Sequence, residues 1–132
     1  MIIQNGAKFV EISAPRRISD SIYTTGELFR PPEEQSLIID SRKGLIIITG
    51  CAHPGIVNIV KRAKKLMKKG KVYLVLGGLH HPPLSCVKEF KELGVEKVAP
   101  SHCTGNLARE AFRKEYKENF IEYGVGKTVE IK

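Results

Sequence analysis

This sequence predicts an α/β fold with a mixed sheet, on three observations. After Gly50, short apolar runs alternate with amphipathic stretches of helical period, the rhythm of strand-helix crossovers. Residues 44–49 and 72–76 are continuously apolar rather than alternating, which marks strands buried on both faces. Before residue 50 the apolar runs are short, β-branched and bounded by turn residues, which is how strands read.

Taken in order, residues 7–12, 21–25, 36–40 and 44–49 read as strands, with Arg30-Pro31-Pro32 interrupting them as a surface loop. Asp40-Ser41-Arg42-Lys43-Gly44 separates the last two at hairpin spacing and predicts an antiparallel pair. Residues 55–69 give the clearest helix. Ile56, Ile59, Val60, Ala63, Leu66 and Met67 recur at helical spacing, lysines and Arg62 fill the other faces, and Gly70 ends the element. A strand at 72–76 follows, then a helix near 84–93 closed by Gly94, a strand near 96–100, a helix near 105–117, and strands near 119–123 and 127–131. About three helices cover only one face of such a sheet, so the other face is expected to need a further cover.

The chain has 132 residues, which suits a single domain over 1–132 with enough mass to bury a core. With 42% apolar and 27% charged residues the composition is globular rather than disordered or low-complexity. The apolar runs are too short to cross a bilayer and the start lacks a signal-like pattern, so a cytoplasmic protein without membrane contact is expected. Cys51, Cys86 and Cys103 are odd in number and lack CxxC pairing, which argues against a disulfide framework. Asp20 and Asp40 are the only aspartates, so chemistry requiring several Asp ligands has little to draw on.

The net charge of +8 raises a polyanion or nucleic-acid reading. It is the weaker one. The lysines of 55–69 sit where a solvated helix face requires polar residues, and no helix-turn-helix, RNP-like or zinc-finger pattern accompanies them. A non-catalytic interaction module is the remaining alternative to an enzyme.

The histidines carry more information. His53, His80 and His102 each follow an apolar strand directly, at separations of 27 and 22 residues, the length of one strand-helix unit. Parallel strands joined by such crossovers put their C-terminal ends on one sheet edge, where the three histidines converge. Imidazole is the commonest zinc ligand, and three of them leave a coordination position open. Taken singly, each reads equally as a capping or hydrogen-bonded loop residue. The pairs Cys51/His53 and His102/Cys103 open a rival Cys2His2 site, although their spacing matches no finger or ribbon and a buried small residue is the default for all three cysteines. Thr104-Gly105-Asn106 opens the last helix, where backbone amides can receive an anion such as phosphate or simply form an N-cap.

Gly44-Leu-Ile-Ile-Ile-Thr-Gly-Cys-Ala-His-Pro-Gly-Ile-Val-Asn-Ile-Val60, Val75-Leu-Gly-Gly-Leu-His80 and Val98-Ala-Pro-Ser-His-Cys-Thr-Gly105 together resemble the C-terminal half of a metallo-β-lactamase-fold hydrolase. The branch they resemble is the 7,8-dihydropterin-6-methyl-4-(β-D-ribofuranosyl)-aminobenzene-5′-phosphate synthase-like one. Ile18-Ser-Asp-Ser-Ile-Tyr-Thr-Thr-Gly-Glu27 is similar to the segment preceding these motifs there, so the resemblance runs from about residue 7 to the end.

The resemblance implies an αββα sandwich with a dinuclear metal site, of which this chain supplies half. In that family the first ligands come from a His-x-His-x-Asp-His loop, whereas no His precedes residue 53 here. His53 matches the family's next metal histidine and His102 the final one. His80 lies near the place where many relatives carry a bridging Asp, and His81 matches no family position. The expectations are a partial site for zinc, manganese or iron, a small phosphate ester as substrate class, and little activity from the isolated chain. Partners are expected to be further copies of the chain or a separate N-terminal half.

Overall fold

The computed structural model describes residues 6–132. Six strands lie side by side in sequence order: β1 (Arg16–Ser19), β2 (Ile22–Thr24), β3 (Leu37–Ser41), β4 (Gly44–Thr49), β5 (Val72–Gly78) and β6 (Val95–Ser101). The first four are joined antiparallel, and β4, β5 and β6 run parallel. Helices α1 (Ile56–Met67), α2 (Ser85–Glu92) and α3 (Asn106–Tyr116) follow β4, β5 and β6 in turn. The mixed α/β architecture, the β3–β4 hairpin and the change to parallel crossovers at residue 50 are as the sequence predicts.

The hairpin turns tightly, with Ser41 facing Gly44 and the Ser41 hydroxyl donating to the Gly44 carbonyl at 2.6 Å. Gly44 has φ +130°, and a Cβ there would stand 3.0 Å from the Lys71 carbonyl oxygen, so glycine is required where β4 begins beside β5. In α1, Ile56, Ile59, Val60 and Ala63 are buried against the sheet. The helix stops before Gly70 because Lys68 takes a left-handed conformation and donates its N–H to the Lys64 carbonyl.

Two clusters fill the interior. The larger lies between sheet and helices and includes Ile38, Leu45, Ile47, Val75, Phe90, Val98, Phe112 and Tyr116. Phe112 packs between Phe90 and Tyr116, with ring centroids 5.2 and 6.1 Å away, and the Tyr116 hydroxyl donates to the Val95 carbonyl. The smaller cluster, Ile46, Tyr73, Leu74 and Ala99, belongs to the opposite face. A register irregularity beside Leu45 and Ile46 lets the adjacent residues Tyr73 and Leu74 both join it.

Three expectations are corrected. Residues 7–12 form no strand: Phe9 and Val10 are exposed and no neighbouring strand pairs with them. The edge position is taken by β1, whose sequence Arg-Arg-Ile-Ser is exposed throughout and carries no apolar alternation to betray it. Residues 119–123 and 127–131 form no strands beyond one isolated bridge between Phe120 and Val98. This tail instead covers the second sheet face, packing Ile121, Tyr123 and Val129 on the smaller cluster. The cover expected from outside the chain is thus supplied in part from within, and Leu74 and Ala99 are fully buried. Among the described residues no helix is long and apolar enough to cross a membrane.

Candidate metal centre

His53 lies in the loop from β4 to α1, His80 in the loop from β5 to α2, and His102 opens the 3-10 turn that follows β6. Because the three strands are parallel neighbours, the three histidines stand at one edge of the sheet, as their spacing predicts. His53 and His80 come closest, with ring centroids 4.1 Å apart. His102 belongs to a neighbouring group. One ligand atom each from Cys51, His53 and His80 lie within 4.8 Å of one another, and the same holds for Cys51, His102 and Cys103. Cys51 is common to both.

A carboxylate with no signal in the sequence supports the first group from behind. Glu34 accepts hydrogen bonds from the Ala52 N–H at 2.8 Å and the His53 N–H at 3.2 Å, and its other oxygen pairs with Nδ1 of the His53 ring. A carboxylate only accepts, so Nδ1 carries a proton and, in the neutral ring, Nε2 keeps its lone pair. That is the arrangement of a ligating histidine oriented from behind. Glu34 arrives there because loop 25–36 folds back on itself: Thr25 N–H donates to the Ser36 carbonyl, Ser36 N–H to the Thr25 hydroxyl, and Leu28 N–H to the Glu34 carbonyl. The sequence signal was a polar loop and nothing more.

The backbone at this edge is unusual. Ala52, His80, His81 and His102 all have positive φ, between 45° and 65°, a conformation that costs non-glycine residues energy and is kept where surroundings enforce it. Glycine is required next to them: a Cβ on Gly78 would stand 2.3 Å from the Gly50 carbonyl oxygen and 2.9 Å from Cys103 Sγ.

Cys86 is buried, as expected of a structural cysteine, but Cys51 and Cys103 are only half-buried, with sulfurs 3.0 Å apart. Their placement beside the histidines corrects the expectation of three buried small residues. The hydrogen bond with Cys103, burial, and the negative charge of Glu34 push the Cys51 thiol up to about 11.

Thr104 and Gly105 have internal tasks. Thr104 is 2% exposed, donates its hydroxyl to the Ser101 carbonyl and accepts from the Leu79 N–H. Gly105 gives room to the His81 ring, whose Nδ1 would stand 2.7 Å from a Cβ there. His81 also ties its N–H to the Cys103 carbonyl at 3.0 Å. Beside the histidine pair a cleft of about 410 Å³ opens, lined by His53, His80, Arg30, Lys61 and, from α2, Cys86 and Glu89.

The fold overlays on the crystal structure of Tm1679, a metal-dependent hydrolase of the β-lactamase superfamily, with a TM-score of 0.74 and 29% identity, covering 94% of this chain and 58% of that one. The chain is a partial metallo-β-lactamase-fold protein. Within that class it is similar to 7,8-dihydropterin-6-methyl-4-(β-D-ribofuranosyl)-aminobenzene-5′-phosphate synthase of Methanocaldococcus jannaschii, with 42% identity over 105 residues, 75% of this chain and 36% of that protein. It is 39% identical over 93 residues to an uncharacterised protein of the same organism, covering 65% of this chain and 34% of the relative. The chain thus spans about a third of the length of the curated relatives it matches. No family model matches it.

Proposed function

We propose that the chain forms the histidine edge of a metal-dependent hydrolase site acting on a small phosphate ester. The observation that carries this reading is the pairing of His53 and His80 at the C-terminal ends of adjacent parallel strands, with Glu34 holding the His53 ring so that Nε2 is free. The donor set fits a borderline cation: imidazole nitrogens with a thiol at the rim suit zinc, and manganese or iron follow in preference.

His53 and His80 would hold the cation, with His102 standing in the neighbouring group, and a divalent metal bound at the pair would activate water at neutral pH and polarise a phosphoryl oxygen. The chain's own part is orientation and charge. Glu34 fixes the His53 tautomer, and the strained loop residues keep the rings at the sheet edge. Arg30 and Lys61 line the cleft beside the rings, opposed there by Glu89, and supply the cationic groups that a phosphate ester would meet. The three free cysteines suit a cytoplasmic setting. Because His53, His80 and His102 make up only part of the ligand set of the family it resembles, further donors come from a second copy or an N-terminal half, and turnover by these residues alone is low.

Metal analysis of tag-free protein dialysed against zinc or manganese tests the reading, together with hydrolysis of bis(p-nitrophenyl) phosphate. Metal content is expected to fall by about one cation per chain in His53→Ala, and turnover by the parent is expected to be weak. Full metal retention in His53→Ala, or no metal above background in the parent, would overturn it.

A further inference from the structure

We infer that Cys51, Cys103 and His102 form a thiolate site of their own for a single thiophilic divalent cation of the zinc class, one that needs neither substrate nor turnover and goes beyond the hydrolase reading. Four observations converge on it. The two sulfurs are 3.0 Å apart although 52 residues separate them in sequence, and one ligand atom each from Cys51, His102 and Cys103 lie within 4.8 Å of one another. Two sulfurs on one tetrahedral zinc, with bonds of about 2.3 Å, stand about 3.8 Å apart, so the pair opens by less than about 1 Å to take the ion.

The second observation is the backbone N–H of His80, aimed at Cys103 Sγ at 3.3 Å. A donor pointed at sulfur stabilises the thiolate over the thiol and orients a ligating cysteine. The third is strain. Ala52 and His102, each adjacent in sequence to one of the sulfurs, and His80, which donates to one, all have positive φ. Three non-glycine residues held there around one pair of sulfurs mark a place the fold over-determines. The fourth is Gly78, whose missing side chain leaves the space that the Cys103 sulfur occupies between the ends of β4 and β6.

His102 is exposed and both cysteines are half-buried, so the ion has an entry path and a fourth position open to water or a further ligand. Binding is balanced by proton release: the cation replaces the two thiol protons, which leave to solvent, and no electrons are transferred. Soft thiolates select zinc and its congeners over magnesium or calcium. Cys51 also lies within reach of His53 and His80, so an ion held here stands next to the histidine pair without depending on it.

Anaerobic titration of reduced protein with Co²⁺ tests this. One equivalent is expected to raise a sulfur-to-cobalt charge-transfer band in the near ultraviolet. That band should fall at least twofold in Cys51→Ser and in Cys103→Ser, and persist in Cys86→Ala and His53→Ala. Two measurements on the unaltered chain guard against variants that fold poorly. Zinc X-ray absorption should require two sulfurs at about 2.3 Å, and zinc should shield two of the three cysteines from alkylation. Saturation with cobalt or zinc showing only nitrogen and oxygen ligands, or equal alkylation of all three cysteines with and without zinc, would overturn the thiolate site while leaving the histidine reading standing. Loss of metal in His53→Ala with no charge-transfer band at any stage supports the histidine site alone and likewise overturns this one.

Discussion

Glu34→Gln is the substitution that bears most directly on the histidine edge, because it keeps the shape of the side chain and changes only what its two terminal atoms can do. In the parent, one oxygen accepts from the N–H groups of Ala52 and His53 and the other pairs with Nδ1 of the ring. A glutamine has one acceptor and one donor end. If its oxygen serves the two backbone groups, its NH₂ faces Nδ1, which must then accept. The ring proton moves to Nε2, the nitrogen a metal needs. If the amide turns over, the buried N–H of Ala52 meets another donor; Ala52 is 1% exposed, so that group would lie unsatisfied at about 1–3 kcal/mol.

The first orientation makes the metal-competent tautomer the minor form, and the second keeps it only by leaving that N–H unsatisfied, so the first is the one expected to prevail. Loss of such an outer partner costs about 10- to 100-fold in affinity, or roughly 1.4–2.7 kcal/mol. Competition with a chromophoric chelator measures the affinity, and ¹⁵N shifts of the His53 ring report the tautomer. Glu34→Gln should weaken zinc by that factor and move the ring proton to Nε2, whereas in a His53→Ala background the same substitution should change affinity by less than about twofold. Unchanged affinity with a shifted tautomer would show that His53 does not ligate, and the reasoning would fall.

Four other perturbations test the surrounding structure. Phe112→Ala, which empties a fully buried site between Phe90 and Tyr116, should cost about 3–5 kcal/mol in urea unfolding. Gly78→Ala should cost about 1–3 kcal/mol or more, since its Cβ meets the Gly50 carbonyl oxygen at 2.3 Å; a melting temperature equal to the parent's would contradict the close approach of β4 to β5. Truncation after Asn119 uncovers the smaller apolar cluster and should produce dye binding and self-association, visible as faster sedimentation. The fourth concerns pH. Hydrogen bonds from Arg109 and then Arg113 hold the Glu122 carboxyl below its ordinary value, so its contribution is full above that value and is lost as pH falls through the folded one. Exchange protection of the Ile121 amide, which donates to the Val98 carbonyl at 2.8 Å, should therefore fall below about pH 4 in the parent and lose that acid dependence in Glu122→Gln.

The parts legible in sequence were those that one periodicity specifies. The β3–β4 hairpin followed from its turn, α1 from its apolar stripe, and the shared edge of His53, His80 and His102 from separations of one strand-helix unit each. β1 was missed because an exposed edge strand bonds through its backbone alone and leaves no side-chain pattern. The tail over 119–131 misled for the opposite reason. Its β-branched and aromatic residues are apolar because they lie on a sheet face, and they need no strand geometry to do so. Glu34 and the Cys51–Cys103 contact are products of tertiary folding. The first depends on how loop 25–36 folds back, the second on β4 and β6 flanking a strand that ends in glycines.

Those two features together explain why the antiparallel and parallel portions of the sheet share one edge. The parallel strands place imidazoles and thiols at their C-terminal ends, yet parallel geometry alone leaves each loop free to turn its side chain away. What removes that freedom comes from both sides. From the antiparallel side, the Glu34 carboxylate grips the backbone and ring of His53 at once; from the parallel side, Gly77 and Gly78 let β5 approach the ends of β4 and β6 closely, and the loops that follow hold positive φ. The strain at Ala52, His80 and His102 costs stability, on the order of 1–3 kcal/mol per residue. It is offset by burial beneath α1 to α3, where Phe90, Phe112 and Val98 are fully enclosed. A site whose donors are fixed before any ion arrives loses less entropy on binding than one assembled by it. The helical layer, even where it lies far behind the residues that line the cleft, is for that reason part of what sets metal affinity at this edge.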